Sequence, residues 1–244
     1  MKKMFINFIF ISLAFITKAQ TKQQDSIAII IIDRMTDVIG DLQSCSFKLE
    51  TANDVQDSVG GLVKQFANFE VYMSGPDKML VNARGYKGHR EFLYNGQQLA
   101  YYSFDEHNYG ILPVPDNTIQ MIDSIHALYD IEFPAADFFY PTFTDDLLAD
   151  ADTIRFVGKE EINGKEFFHV MAIGKEMDFQ FWVNNNAYNL PAKFAITYKN
   201  MPGNPQYIAA FTDWQINPDL PDAMFDFLPP PGAAQLTIMS KTDK

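Results

Sequence analysis

From residue 47 onward the apolar side chains of this chain recur at every second position, and each run stops at a turn signal. This alternation constrains the fold more than any other feature. Phe47, Leu49 and Thr51 form one run, Phe69, Val71 and Met73 a second, and Met79, Val81 and Ala83 a third. Asn53-Asp54 and Ser74-Gly75-Pro76-Asp77 read as the turns between them. Alternation buries one face of a strand and wets the other, so short turns between such runs predict an antiparallel meander. Residues 92–94 and 99–102 flank Asn95-Gly96, a pair whose tolerance of positive φ suits a two-residue hairpin turn. Asn163-Gly164 does the same between residues 154–162 and 166–173, and further strands follow at 177–183, 192–198 and 207–216.

Two segments break the period of two. Over residues 26–42, Ala28, Ile31, Ile32, Met35, Val38, Ile39 and Leu42 share one helical face, with Asp33, Arg34, Thr36, Asp37 and Asp41 opposite. Asp25 and Ser26 offer an N-cap and Gly40 a stop, which outweighs the β-branched run from 29 to 32. Over residues 118–129, Ile119, Met121, Ile122, Ile125, Leu128 and Tyr129 cover a broad apolar arc, as in a helix buried on more than one side. Phe133-Pro134, Asp137-Phe138-Phe139-Tyr140-Pro141 and Thr144-Asp145-Asp146-Leu147-Leu148 follow, with Thr144 as an N-cap ahead of acids in a first turn. A helical insertion of about residues 115–149 therefore interrupts the sheet.

The N-terminus reads as an export signal covering residues 1–19: Met1-Lys2-Lys3, an apolar run over 4–16, then Thr17-Lys18-Ala19 before Gln20. The run is short for a membrane span, so an uncleaved anchor is the weaker reading and the mature chain is not an integral membrane protein. The single cysteine, Cys45, is not at the cleavage point, which excludes a lipobox, and one thiol forms no intrachain disulfide. Residues 20–244 are long enough for a single domain with its own core, and most of the chain's 22 phenylalanines fall within them as material for it. The formal charge is −12, and losing residues 1–19 removes three lysines and no acids, leaving about −15. Such a surface repels phosphate, so nucleic acid is no partner.

No pattern of activated nucleophile is present: neither Gly-x-Ser-x-Gly nor Ser-x-x-Lys occurs. Cys45 sits at a strand start after the first helix, the place of a buried structural thiol. His89, His107, His126 and His169 lack metal-ligand spacing, and Asp145, Asp146, Asp150 and Asp152 lack the glycine and closing glutamate of a calcium loop. The stretch from Gly158 to Gly164-Lys165 is one residue too long for a phosphate loop and has no Ser or Thr after the lysine. Glu160 and Glu161 are neighbours on a strand and point to opposite faces, so they share no acid-base role. No cofactor or metal is expected.

The order of helix, meander, helical insertion and returning strands carries a resemblance. So do Tyr94-Asn95-Gly96, Pro191-Ala192-Lys193-Phe194-Ala195-Ile196-Thr197-Tyr198-Lys199 and the closing Pro221-Asp222-Ala223-Met224-Phe225-Asp226-Phe227 with Pro229 to Gly232. From about Asp25 to Ala233 the chain resembles an uncharacterised family of predicted periplasmic proteins related to the LolA and LolB lipoprotein-carrier superfamily. The resemblance implies an α+β, mainly β fold: a strongly curved antiparallel sheet, an incomplete LolA-like β-barrel, covered by the N-terminal helix and a helical lid. It also implies that Ile119, Ile122, Ile125, Phe138 and Phe139 face an apolar cavity. The expected function is non-catalytic: a periplasmic, monomeric carrier or sensor of a lipid or lipoprotein acyl chain or another apolar small molecule. The alternative is an envelope-protein interaction module similar to stress-sensing RseB, and the third reading is an envelope hydrolase.

Overall fold

The alternating runs pair as neighbours in one sheet. The computed structural model describes residues 22–241; the export signal expected over 1–19 lies outside them. Strand β1 (Gln23–Gln24) and helix α1 (Ser26–Gly40) precede a meander of β2 (Ser44–Gln56), β3 (Leu62–Ser74), β4 (Lys78–Gly85), β5 (Gly88–Tyr94), β6 (Gln98–Ser103) and β7 (Asn108–Pro113). Helix α2 (Thr118–Tyr129), a 3-10 turn (Ala136–Phe139) and α3 (Phe143–Asp150) lead to β8 (Ala151–Ile162), β9 (Lys165–Gly174), β10 (Met177–Asn184), β11 (Pro191–Tyr198) and β12 (Gln206–Ile216). A second 3-10 turn (Asp222–Phe225) and β13 (Ala234–Gln235) complete the order.

The sheet runs β1-β8-β9-β10-β11-β12-β2-β3-β4-β5-β6-β7-β13, antiparallel except where the two short edge strands pair in parallel. It is curved and does not close on itself. Bulges in β8, β11 and β12 bend it, as an extra residue on one strand of a pair must. Because β7 and β8 stand near opposite edges, the segment between them has to cross the whole sheet, and it does so on the face that α1 also covers. That inner face holds the core: Phe47, Leu49, Val71, Val81, Phe92, Val170, Phe181 and Phe211 pack with Ala28, Ile32 and Met35 of α1 and Met121 and Ile125 of α2. The outer face has a smaller cluster in which Phe225, 1% exposed, sits with Leu80, Leu93 and Ala100. The closing motif is thus a strap on the outside of β4–β6. No helix among the described residues is long and apolar enough to cross a membrane.

Three local readings are corrected. Asn53-Asp54 is not a turn but lies inside β2, opposite Gln65 and Lys64. Its turn propensity is overridden by partners across the sheet, since Asp54 pairs with Lys64 (2.7 Å) and accepts the Gln206 amide (2.9 Å). The β5–β6 loop has three residues, with Gly96 alone at positive φ and Asn95 Oδ1 accepting from the amides of Gln97 and Gln98; Asn163-Gly164 is the true two-residue turn, both at positive φ. Thr144 is inside α3, whose N-cap is Thr142, and its hydroxyl meets that of Thr36 at 3.2 Å.

Asp25 is the N-cap of α1 and also its tie to the sheet. One carboxylate oxygen accepts the Ile27 amide (2.9 Å) and the other the Phe156 amide (3.1 Å), while its own amide donates to Ile154 (2.8 Å). These amides, Phe156 first and then Ile27, hold the carboxyl below its ordinary 3.8. A depressed folded pKa adds stability above the unfolded value, lost as pH falls from about 4 through the folded value. Asp25→Ala is therefore expected to lower the thermal midpoint at neutral pH and to flatten its fall below pH 4. A variant with an unchanged acid limb would contradict the tie.

Candidate functional site

Helix α2 is fixed at its start. Asn117 caps it, accepting the amides of Ile119 (3.0 Å) and Gln120 (3.3 Å), and the Thr118 hydroxyl donates to the Pro76 carbonyl (2.9 Å) in the β3–β4 turn. Anchored there, the helix lays Met121, Ile122 and Ile125 on the inner face of the sheet. It ends at Asp130 in the left-handed region, and a second left-handed residue, Ala135, follows before the 3-10 turn. The chain between these two reversals brings Phe133 edge-on to Phe92, ring centres 5.4 Å apart. Beyond them Tyr140 donates to Asp123 of α2 (2.6 Å), closing the cover on itself. Burial, then the Asp123 carboxylate, raises the Tyr140 phenol, so it stays a neutral donor.

Between this cover and strands β2–β4 lies a cleft with about 20 Å³ of clear space, within about 360 Å³ of interatomic space that runs out into solvent. The strands supply Phe47, Phe69, Val71, Met73, Met79 and Val81; the cover supplies Ile122, Phe133, Pro134, Ala136 and Phe139. Every one is apolar, so no side chain of the cleft wall is a hydrogen-bond donor, an ionisable group or a nucleophile. It can take hydrocarbon and little else. It is narrow, because the protein's own side chains fill the rest of the inner face.

The five sequence-predicted cavity residues separate. Ile122 and Phe139 line the cleft, and Phe139 stacks over Phe47 with ring centres 6.0 Å apart. Ile125 is fully buried in the core. Phe138 is 4% exposed and surrounded by Phe143 (4.9 Å), Phe194 (5.2 Å), Phe211 (5.7 Å) and Phe181 (6.0 Å). Ile119 is half-buried and is not part of the cleft wall. The missed wall residues were visible as the period-two positions Phe47, Phe69, Val71, Met73, Met79 and Val81, but which face of which strand meets the cover depends on pairing.

Cys45 is buried, and burial pushes its thiol up to about 12, which keeps it protonated and unreactive. Among the described residues no three His, Cys, Asp or Glu side chains come together as a metal site. One network escaped the sequence reading: Glu160 accepts from Trp182 Nε1 (2.8 Å) and pairs with His169 Nδ1 (2.6 Å), whose Nε2 lies 3.1 Å from Gln180 Oε1. The Trp182 bond, with His169 beside it, holds the Glu160 carboxyl below its ordinary range. The network spans β8, β9 and β10, so no spacing in the chain announces it.

Residues 28–239 match the model of a family described as "Predicted periplasmic protein (DUF2092)". An uncharacterized conserved protein from Thermus thermophilus is similar in structure at 10% identity and TM-score 0.50, covering 87% of this chain and 99% of its own. Lipoprotein LppX of Mycobacterium tuberculosis is 12% identical at TM-score 0.46, with 81% and 98% covered. A LolA superfamily protein from Nitrosomonas europaea is 11% identical at TM-score 0.37, with 82% and 97% covered. No curated protein matches the chain. At these identities the likeness concerns the fold alone.

Proposed function

Because the chain belongs to the DUF2092 family of predicted periplasmic proteins, we propose that it works in the periplasm as a non-catalytic carrier or sensor, holding an uncharged hydrocarbon segment such as a lipid acyl chain. The observation that carries this reading is the wholly apolar wall of the cleft between β2–β4 and the 133–139 cover. Each methylene buried there contributes about 0.8 kcal/mol, so micromolar affinity takes about ten of them, more than the present opening holds. Met73 and Met79 supply flexible side chains that adapt to a guest. An acyl chain longer than the present opening requires the cover to lift, and the left-handed residues Asp130 and Ala135 are the points about which the intervening segment turns.

The test uses a fluorescent alkyl ester, which carries no charge, together with native mass spectrometry of protein recovered from its own envelope. Ala136→Trp fills the cleft from a half-buried position and is expected to weaken uptake of the ester at least tenfold with an unchanged circular dichroism spectrum. Protein that emerges empty and excludes the ester overturns the reading. A second reading, docking of an envelope protein, rests on the exposed apolar residues Val59 (89%) and Phe66 (65%) of the β2–β3 hairpin. A stable partner crosslinked through Phe66 to lipid-free protein favours it.

A further inference from the structure

A second hollow lies on the same inner face at the other side of the molecule, over β8 and β9, where the start of α1 overhangs the sheet. It has about 670 Å³ of empty space, part of it open. Its apolar walls are Ile27 and Ile30 of α1, 54% and 49% exposed, facing Phe156 and Phe168. Two isoleucines left half in water on a helix whose other face is sealed in the core form an unfilled apolar surface.

Its polar residues include two cations. The bulge between Phe156 and Gly158 sets Lys159 opposite Phe168, with the ammonium over that ring at 5.5 Å. Lys159 is already neutralised by Glu166 (2.8 Å). Arg34, on the same wall, has no hydrogen bond or ion pair among the described residues, although Asp33 and Asp37 are its neighbours on α1. The site therefore offers one guanidinium free of a direct partner beside hydrocarbon, on a chain whose surface is otherwise strongly acidic. Eight residues line it, against the roughly 20–30 per side of a stable protein interface, which makes it the size of a small-molecule site.

We propose that this groove binds a single-chain amphiphile with a monoanionic carboxylate head, a fatty acid. The head bonds the Arg34 guanidinium, whose paired N–H donors match a carboxylate, and the tail lies between Ile27, Ile30, Phe156 and Phe168. A single guanidinium suits a carboxylate better than a phosphate dianion. The site is separate from the cleft under the 133–139 cover and needs no guest there.

The test is calorimetric titration of the protein with dodecanoate below its micelle concentration, alongside dodecyltrimethylammonium. Dodecanoate is expected to bind and the cation to bind at least tenfold more weakly. Arg34→Glu, an exposed change with no native hydrogen bond or ion pair to lose, should weaken dodecanoate tenfold or more, while Ala136→Trp leaves it unchanged. Equal binding of both amphiphiles, or dodecanoate binding that survives Arg34→Glu and vanishes in Ala136→Trp, overturns the proposal. So does sedimentation showing a dimer that Ile30→Asp dissociates, which would make the face a contact between two copies.

Discussion

Replacing Phe138 with alanine is expected to cost about 3–5 kcal/mol of folding stability, a large fraction of what a domain of this size has. The ring is 4% exposed and contacts four other phenylalanines, from α3 and from β10, β11 and β12. Removing it deletes the buried apolar surface and leaves a cavity whose walls belong to separate strands and cannot all close in. Urea denaturation checks this. The midpoint should fall with an unchanged slope, read through Trp214, which stacks on Phe211 at 5.5 Å. A loss below about 1 kcal/mol would mean that Phe138 faces free space after all, as the family resemblance implies. Its contacts place it instead in the joint that holds the cover to the sheet.

The second large effect is at Gly85, where β4 runs opposite β3. A Cβ added there would stand 2.5 Å from the Ala67 Cβ, 2.7 Å from the Phe66 carbonyl oxygen and 2.8 Å from the Ala67 Cα. Two of those three atoms are backbone, so no rotamer change relieves the clash and the strands must part. Gly85→Ala is expected to cost about 1–3 kcal/mol, toward the upper end, by thermal or chemical unfolding. Hydrogen exchange should localise the loss to the ends of β3 and β4. Adding Ala67→Gly should restore part of the stability, because it removes the nearest of the three atoms. Gly85→Ala with wild-type stability would show that the strand shifts freely at this point.

Much of this architecture was legible in the chain. The 3.6 period with Asp25 before it and Gly40 at its end located α1, because capping and amphipathicity are properties of one segment. The strands from Met177 to Ile216 were read to within a residue or so, since alternation is also local. The element order with its three motifs, the closing Pro221-to-Phe227 run the most specific of them, led to the family that the chain belongs to, and the curved, open sheet under helices is the fold which that likeness implied. Where partners from other strands supply the hydrogen bonds, local rules failed. Asn53-Asp54 has the composition of a turn, but Lys64 and the Gln206 amide satisfy its side chains within a strand.

The candidate site divides along the same line. Local pattern was enough to establish that α2 and the aromatic segment after it would bury apolar faces, and that the inner faces of the strands would be rich in Phe, Val and Met. It left open which of those side chains meet one another. Phe138 and Phe139 are adjacent and chemically identical, yet one is locked among four rings and the other lines an opening. The hollow beside Arg34 likewise needs α1, β8 and β9 in register before it exists. These points were settled by packing, because a cavity is the volume left over when distant segments come together, and that remainder is encoded in no single stretch of chain.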